Sequence, residues 1–460
     1  MDDKRYLKFG NKMAYGVGDM ATNFCYGVIS GFMLIYLTDT VGLNAGIVGT
    51  LMIISRVLDG ATDVLAGTLI DRTHSKWGKA RPFILWTIVP IGVCEFFLFS
   101  TPAMSQVLQY AYFFVIYTIL NDFFFTANNV AYSTLSALIT KNKNERVQLG
   151  VYRFAFTTIA SLFVSALTMT MVNAFGGGLV GWRWTALIYS VLFVVLDFVC
   201  FLGNKELPES EFESDDEQAS GQTPQQKISF IQNLKYVFSN PFFIEQLLIG
   251  TLYNVLNNIA AAVGIYYMTY RLGAPAMLAT FQLTTVFPLV IGLVITPALV
   301  KRFGIYKVNL IGMIISTLGC IPFAIFGMQG NVPLMLVFSC VRWFFAAPQI
   351  ANSSAIQAEI AGYSYRKDKV HIEGSIFSCN SMGSKIGQGL GTAGAGWLLA
   401  AAHYDGTLAV QPASAINMIS LMYAVLPLII TAIMTFLLYL QKVEKANEKL
   451  DQQAAQQLAQ

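Results

Sequence analysis

Apolar runs of twenty or more residues recur along the whole of this 460-residue chain. Runs of that length match the hydrocarbon thickness of a bilayer. In lipid only helices and closed barrels satisfy every backbone polar group, so this pattern dictates a bundle of spanning helices. Twelve candidates follow, over residues 13–37, 45–70, 82–101, 108–138, 150–175, 182–203, 242–270, 276–300, 305–328, 332–361, 372–402 and 413–440. Charged residues make up 12% of the chain, against about 25% in a soluble domain. The expected fold class is an all-α integral membrane protein with twelve transmembrane helices in two six-helix bundles. No short apolar segment with a small-residue cleavage site precedes the first run, so no removable signal peptide is expected. Six cysteines (Cys25, Cys94, Cys200, Cys320, Cys340 and Cys379) lie in apolar segments without a CxxC pair, as reduced, buried hydrophobes do.

The connections alternate in charge. Lys and Arg gather before the first span (Lys4, Arg5, Lys8, Lys12) and after the second (Arg72, Lys76, Lys79, Arg81). They return after the fourth, eighth and tenth spans and past the last, whereas the opposite loops hold only Arg183 and Arg271. The positive-inside rule then puts both termini in the cytoplasm. The longest connection, 205–240, carries an acidic, polar stretch at 209–226 that cannot bury a core and is expected to be mobile. It divides the chain into a first bundle (1–204), a middle loop, a second bundle (241–441) and a polar tail (442–460). No repeat of residues joins the halves on inspection; the two-fold plan rests on the span count.

Asp59 and Asp63 lie one turn apart inside the second span. Carboxylates at membrane depth are costly and mark function by default, and like charges four residues apart repel. A cation, a proton or a basic side chain must sit with them, which points to cation-coupled transport. Arg56, one turn before Asp59, offers the plainer reading of a charge-balancing pair. Thr62 and Thr126 add hydroxyl oxygens, which suit a hard cation. The fourth span holds Asn121, Asp122, Thr126, Asn128, Asn129 and Ser133. At seven-residue spacing Asp122 should share a face with Asn129, and Asn121 with Asn128. Such a span lines a watery cavity or glues helices by hydrogen bonds. In the eleventh span Lys385, among Ser381, Ser384 and Gln388, is expected to bridge the cation site to a substrate. Asn254 and Asn258 form a weaker second wall, with Arg342, Trp343, Gln349 and Asn352 behind them in weight. Glu95 and Asp197 are expected to have local partners. The glycines from Gly383 to Gly396 read as close helix packing.

The loop after the second span, Gly67-x-x-x-Asp71-Arg72 continuing to Trp77-Gly78-Lys79-x-Arg81-Pro82, resembles the signature loop of the major facilitator superfamily. With Asp59-x-x-x-Asp63 upstream and Tyr15-Gly16-x-Gly18-Asp19 in the first span, the chain is similar to the glycoside–pentoside–hexuronide:cation symporters. The resemblance implies that Asp59 and Asp63, with Thr62 and Thr126 near them, coordinate the coupling cation. It implies that Arg153 and Lys385 serve sugar binding, and that Gly67, Asp71, Arg72 and Arg81 hold the cytoplasmic face. Galactoside carriers of the family bind sugar through two aspartates where this chain has Asn23 and Asn129, and Ser133 replaces a tryptophan. That departure removes charge from the pocket and leaves galactoside specificity behind. Asp19 is open to substrate contact or to a structural ion pair.

The expected function is symport of a cation, Na+ or H+, with a glycoside, pentoside or hexuronide by a monomer in a bacterial inner membrane. No organic cofactor and no nucleic acid are called for. A lysolipid carrier on the same fold and a non-transporting sugar receptor are the rival readings. A membrane enzyme is disfavoured because His74, His371 and His403 are dispersed and the acids lie at membrane depth.

Overall fold

The computed structural model describes residues 5–208, 230–368, 373–408 and 410–458. The acidic stretch of the middle loop lies outside the described residues. Helices account for all regular structure there: α1 (Phe9–Thr40), α2 (Ala45–Arg72), α3 (Arg81–Leu98), α4 (Gln106–Leu138), α5 (Lys143–Ala174), α6 (Gly178–Gly203), α7 (Phe230–Ser239), α8 (Pro241–Arg271), α9 (Met277–Phe303), α10 (Ile305–Gln329), α11 (Val332–Ala351), α12 (Ser353–Asp368), α13 (Glu373–Ala401), α14 (Ala413–Leu440) and α15 (Val443–Leu458). Ten helical stretches among the described residues are long and apolar enough to cross a bilayer. Two further helices, α2 and α13, match them in length but carry ionisable and polar residues at spanning depth. The short helix α7 occupies the end of the connection expected as loop.

Asparagine caps set several starts. The side chains of Asn44, Asn142 and Asn240 each accept from two backbone N–H groups in the first turns of α2, α5 and α8, satisfying donors that would otherwise be orphaned. Gly304 (φ +82°) separates α9 from α10, and Gly330 (φ +75°) ends α10 in the left-handed region. Four helices contain a π turn: Tyr36–Thr40 in α1, Ile119–Phe125 in α4, Tyr267–Arg271 in α8 and Leu421–Val425 in α14.

The chain divides into two compact units, Met1–Gln225 with Gly396–Gln411, and Gln226–Ala395 with Pro412–Gln460. In the first, α1 packs on α5 and α6, α3 on α6 and α4, and α2 on α4. Its core gathers Tyr15, Ile84, Ile88, Tyr132, Leu135 and Phe201. The segment 396–411 joins this unit through Trp397 Nε1, which donates to Thr50 Oγ1 at 2.9 Å, and Tyr404 OH, which donates to Asp39 Oδ1 at 2.6 Å. In the second unit α11 packs on α9 and α10, and α14 on α8 and α10. The tail is a helix that docks on α12, where Asn447 Nδ2 donates to Glu359 Oε2 (2.7 Å) and Arg366 pairs with Asp451 (2.8 Å).

The loop between α2 and α3 has a specific anchor. Glu206, just past α6, accepts from the backbone N–H groups of Lys79, Ala80 and Arg81 at 2.7, 2.9 and 2.8 Å. A carboxylate on those N-terminal amides is favoured by the helix dipole. Gly78 (φ +105°) makes the approach possible, since a Cβ there would lie 2.3 Å from the carboxyl carbon of Glu206. The guanidinium of Arg81 donates to the Phe201 carbonyl at 2.9 Å and lies over the Phe201 ring.

Candidate functional site

α2 has two unlike faces. Ile54, Leu58, Leu65 and Leu69 are exposed, as lipid-facing side chains are, while Ser55 and Asp59 are buried at 0% and 4% exposure. The carboxylate of Asp59 accepts from Thr126 Oγ1 at 2.5 Å and lies 3.5 Å from the Arg56 guanidinium. Arg56 in turn donates to Tyr26 OH at 3.0 Å and sits over that ring. Beside it, Ser55 Oγ is 3.0 Å from each oxygen of Asp122, which is buried on α4. Thr62 Oγ1 donates to the Asp59 carbonyl, leaving its oxygen lone pairs for another partner. Asp63 follows one turn on and is half-buried. The α2–α4 face therefore sets three carboxyl groups, Asp59, Asp63 and Asp122, against the single guanidinium of Arg56.

The π turn in α4 shapes this face. Its extra residue shifts the helical phase, so Asp122 and Asn129 do not share the face that seven-residue spacing predicts. Asp122 is buried against α2, whereas Asn129 and Ser133 are exposed and make no side-chain hydrogen bond among the described residues. Asn121 and Asn128 are both buried. Asn128 Nδ2 joins Thr87 Oγ1 (2.9 Å) to Asp197 Oδ2 (2.8 Å), which supplies the local partner expected for Asp197. Glu95 departs from expectation: fully buried beside Cys25 and Ser190, neither of its carboxyl oxygens has a hydrogen bond of good geometry.

A second polar group joins α1 to α5. Asp19 pairs with Arg153 at 3.2 Å and accepts from Thr157 Oγ1 at 2.7 Å. Asn23 Nδ2 donates to the Asp19 carbonyl (2.9 Å) and to Thr157 Oγ1 (3.3 Å). Arg153 also lies over the Tyr132 ring. Of the expected substrate residues, Asp19, Asn23 and Arg153 thus come together, and no hydrogen bond among the described residues ties Asn129 or Ser133 to them. Thr157 was missed, although its place one turn after Arg153 was a usable signal. Ser55 and Tyr26 were missed for want of any such signal.

In the second unit Asn254 and Asn258 donate to carbonyls one turn back, and Asn254 Oδ1 accepts from Gln388 at 3.5 Å. The glycines of α13 press on α8 as expected: a Cβ on Gly387 would meet Thr251 O at 2.5 Å, and one on Gly391 would meet Val255 O at 2.7 Å. Gly67 is the contrary case. A Cβ there meets nothing within 4 Å, so it permits no close helix approach in this structure. Arg72 is exposed in the last turn of α2, and Lys385 is half-buried on α13. The side chain of Asp71 lies outside the described residues. Among the described residues no three His, Cys, Asp or Glu side chains group as metal ligands.

Comparison with known proteins places this geometry. The family model for MFS/sugar transport proteins matches residues 14–445. The isoprimeverose transporter of Lactiplantibacillus pentosus is 29% identical over 99% of this chain and 94% of its own length. The inner membrane symporter YicJ of Escherichia coli (strain K12) is 28% identical, over 92% of this chain and 89% of its own. Among solved structures, an inward-facing bacterial homologue of the human lysosomal transporter Spinster superposes with a TM-score of 0.66, at 12% identity and over 96% and 97% of the two chains, which speaks to fold alone.

Proposed function

The chain belongs to the MFS/sugar transport family, as an integral membrane sugar transporter and not an enzyme, and from that premise we propose that it is a cation-coupled glycoside symporter. The observation that carries the coupling is the excess of carboxyl groups on the α2–α4 face. With Asp59 and Asp122 facing Arg56 and Asp63 one turn beyond, the face holds more negative than positive charge, and repulsion makes one added cation favourable. The ion is cargo here. Sodium would draw on Asp59, Asp63 and the hydroxyls of Thr62 and Thr126, all hard oxygen donors; a proton would need one carboxylate. The group of Asp19, Asn23 and Arg153 is the substrate wall of the first unit, joined by Asn129 and Ser133 on α4. Lys385, Asn254 and Asn258 serve from the second. Cation and sugar then raise each other's affinity, as linkage requires, and alternating access moves both inward. Relatives named for isoprimeverose transport and for symport support this reading. The protein works as a monomer in a bacterial inner membrane with both termini cytoplasmic, as the basic loops direct.

The test is uptake into proteoliposomes of galactosides, glucosides, xylosides and glucuronides, under an inward sodium gradient, an inward proton gradient or neither. Asp63→Asn should abolish gradient-driven accumulation while leaving downhill exchange of the same sugar. Normal accumulation by that variant would remove Asp63 from the cation site.

A further inference from the structure

The second unit contains a buried cation that the site described above does not use. Arg342, on α11, is 9% exposed. No acid pairs with it among the described residues, its guanidinium makes no hydrogen bond, and Nη1 is fully buried. Its neighbours are the ring faces of Phe323 at 4.5 Å and Trp343 at 5.3 Å. Ring faces attract the charge but do not satisfy the five N–H donors of a guanidinium. Arg56 and Arg153, by contrast, each face a carboxylate in the first unit. An intramembrane arginine without an acid is expensive and marks function.

Arg342 lines a cavity with Gln349, Tyr253 and Ser316. Gln349 lies two turns after Arg342 on the same helix face. It is 6% exposed, and its Oε1 has no partner. Ser316 Oγ already donates to the Arg342 carbonyl at 2.8 Å. The open space measures about 30 Å³ for the centres of water-sized groups, room for roughly two waters. That holds the oxygens of one carboxylate or sulfonate and excludes a sugar ring. The fork of a guanidinium matches such a group bidentately, and a side-chain amide adds a donor beside it.

We propose that Arg342 and Gln349 form an oxyanion subsite, which takes the carboxylate or sulfonate of an acidic glycoside. The proposal rests on the transport reading above and narrows its substrate class. The source of the anion is the sugar itself rather than a free ion, because the uncharged ring of Tyr253 closes the cavity from α8, the helix that also carries Asn254 and Asn258.

Calorimetric titration of the purified full-length protein tests it, with methyl glucuronide, a 6-sulfonated methyl glucoside, a neutral methyl xyloside, acetate and methanesulfonate as probes. R342Q should lower the ratio of acidic to neutral glycoside affinity by roughly ten- to a hundredfold, as expected when a charged hydrogen-bond pair is lost. R342K should fall between, since it keeps the charge without the fork, and Gln349→Leu should cost the same ratio about fivefold. These two variants decide the matter if R342Q does not fold. An unchanged ratio in all three overturns the proposal. So does binding of acetate or methanesulfonate as tight as that of the acidic glycosides, which would make this a free-ion site. Gradient-driven uptake of the xyloside by the wild type is scored separately. Uptake of the xyloside with no preference for acids sinks the subsite and leaves the transport reading standing. No uptake of any glycoside sinks that reading, and titration of methanesulfonate against R342Q then decides whether Arg342 binds oxyanions at all.

Discussion

The ends of α1 and α8 are built alike and charged differently. One reads Tyr36-Leu-Thr38-Asp39-Thr40-Val-Gly42, the other Tyr267-Met-Thr269-Tyr270-Arg271-Leu-Gly273. Each finishes in a π turn that begins at a fully buried tyrosine, and each is closed by a glycine of positive φ, +83° and +64°. Each tyrosine hydroxyl is satisfied within its own unit. Tyr36 OH donates to Thr101 Oγ1 (3.1 Å) and accepts from the Thr101 N–H (3.0 Å), while Tyr267 OH donates to the Gly327 carbonyl (2.6 Å). The difference lies in the residues between. Asp39 accepts from Thr38 Oγ1 and Tyr404 OH, whereas Arg271 donates to the Met328 carbonyl. The backbone device repeats from unit to unit and the charge on it does not. Deeper in, the contrast persists: the first unit sets aspartates at spanning depth against arginine and hydroxyl groups, and the second presses glycines of α13 against α8.

Breaking a charge pair in the first unit should have the largest effect. Asp59→Asn leaves the buried Arg56 facing one acid fewer and should cost about 3–5 kcal/mol. The double variant Arg56→Gln with Asp59→Asn should recover much of that in a detergent unfolding series. If the single variant is no worse than the double, the two do not act as a unit. In the second unit the vulnerable point is steric. Gly387→Ala puts a methyl 2.5 Å from Thr251 O and should cost about 1–3 kcal/mol; Gly67→Ala, with open space around it, should stay within about 0.5 kcal/mol. Equal melting temperatures for those two variants would contradict the close approach of α13 to α8. The tyrosines sharpen the repeat itself. Tyr267→Phe should cost about 1 kcal/mol. Tyr36→Phe should cost roughly twice that, because it also orphans the Thr101 N–H, and the reverse ranking in the same assay would show that the two ends are not equivalent. Smallest is the exposed pair on the tail: Asp451→Ala should shift stability by no more than about 0.5 kcal/mol, and a larger shift would mean that α15 carries weight through this contact.

Periodic signals were readable in the sequence and long-range ones were not. The helices, the placing of Asp59 and Asp63 in one span and the tight glycine face of α13 all follow from spacing within one segment. The pairing of Asp19 with Arg153 joins residues 134 apart, and Glu206 reaches back more than a hundred residues; neither leaves a local trace. The π turn in α4 misled the assignment of Asn129 because one inserted residue turns the phase of everything after it. The repeat at Tyr36 and Tyr267 was within reach of a motif search, but seven residues in a chain rich in aromatics fall below notice until the backbone shows that both do the same thing.

Glu206 also fixes an order of events. It lies 125 residues beyond the Arg81 amide that it receives, so a ribosome has made α2 through α6 before the start of α3 finds its carboxylate. During that interval the basic loop after α2 has its own positive charges and three exposed amide hydrogens, and nothing yet to close it. The first unit is therefore completed from its far end, as chains made N-terminus first complete a domain. A nascent chain halted inside α6 should leave Trp77 to Arg81 open to protease, however well α1 to α5 have inserted.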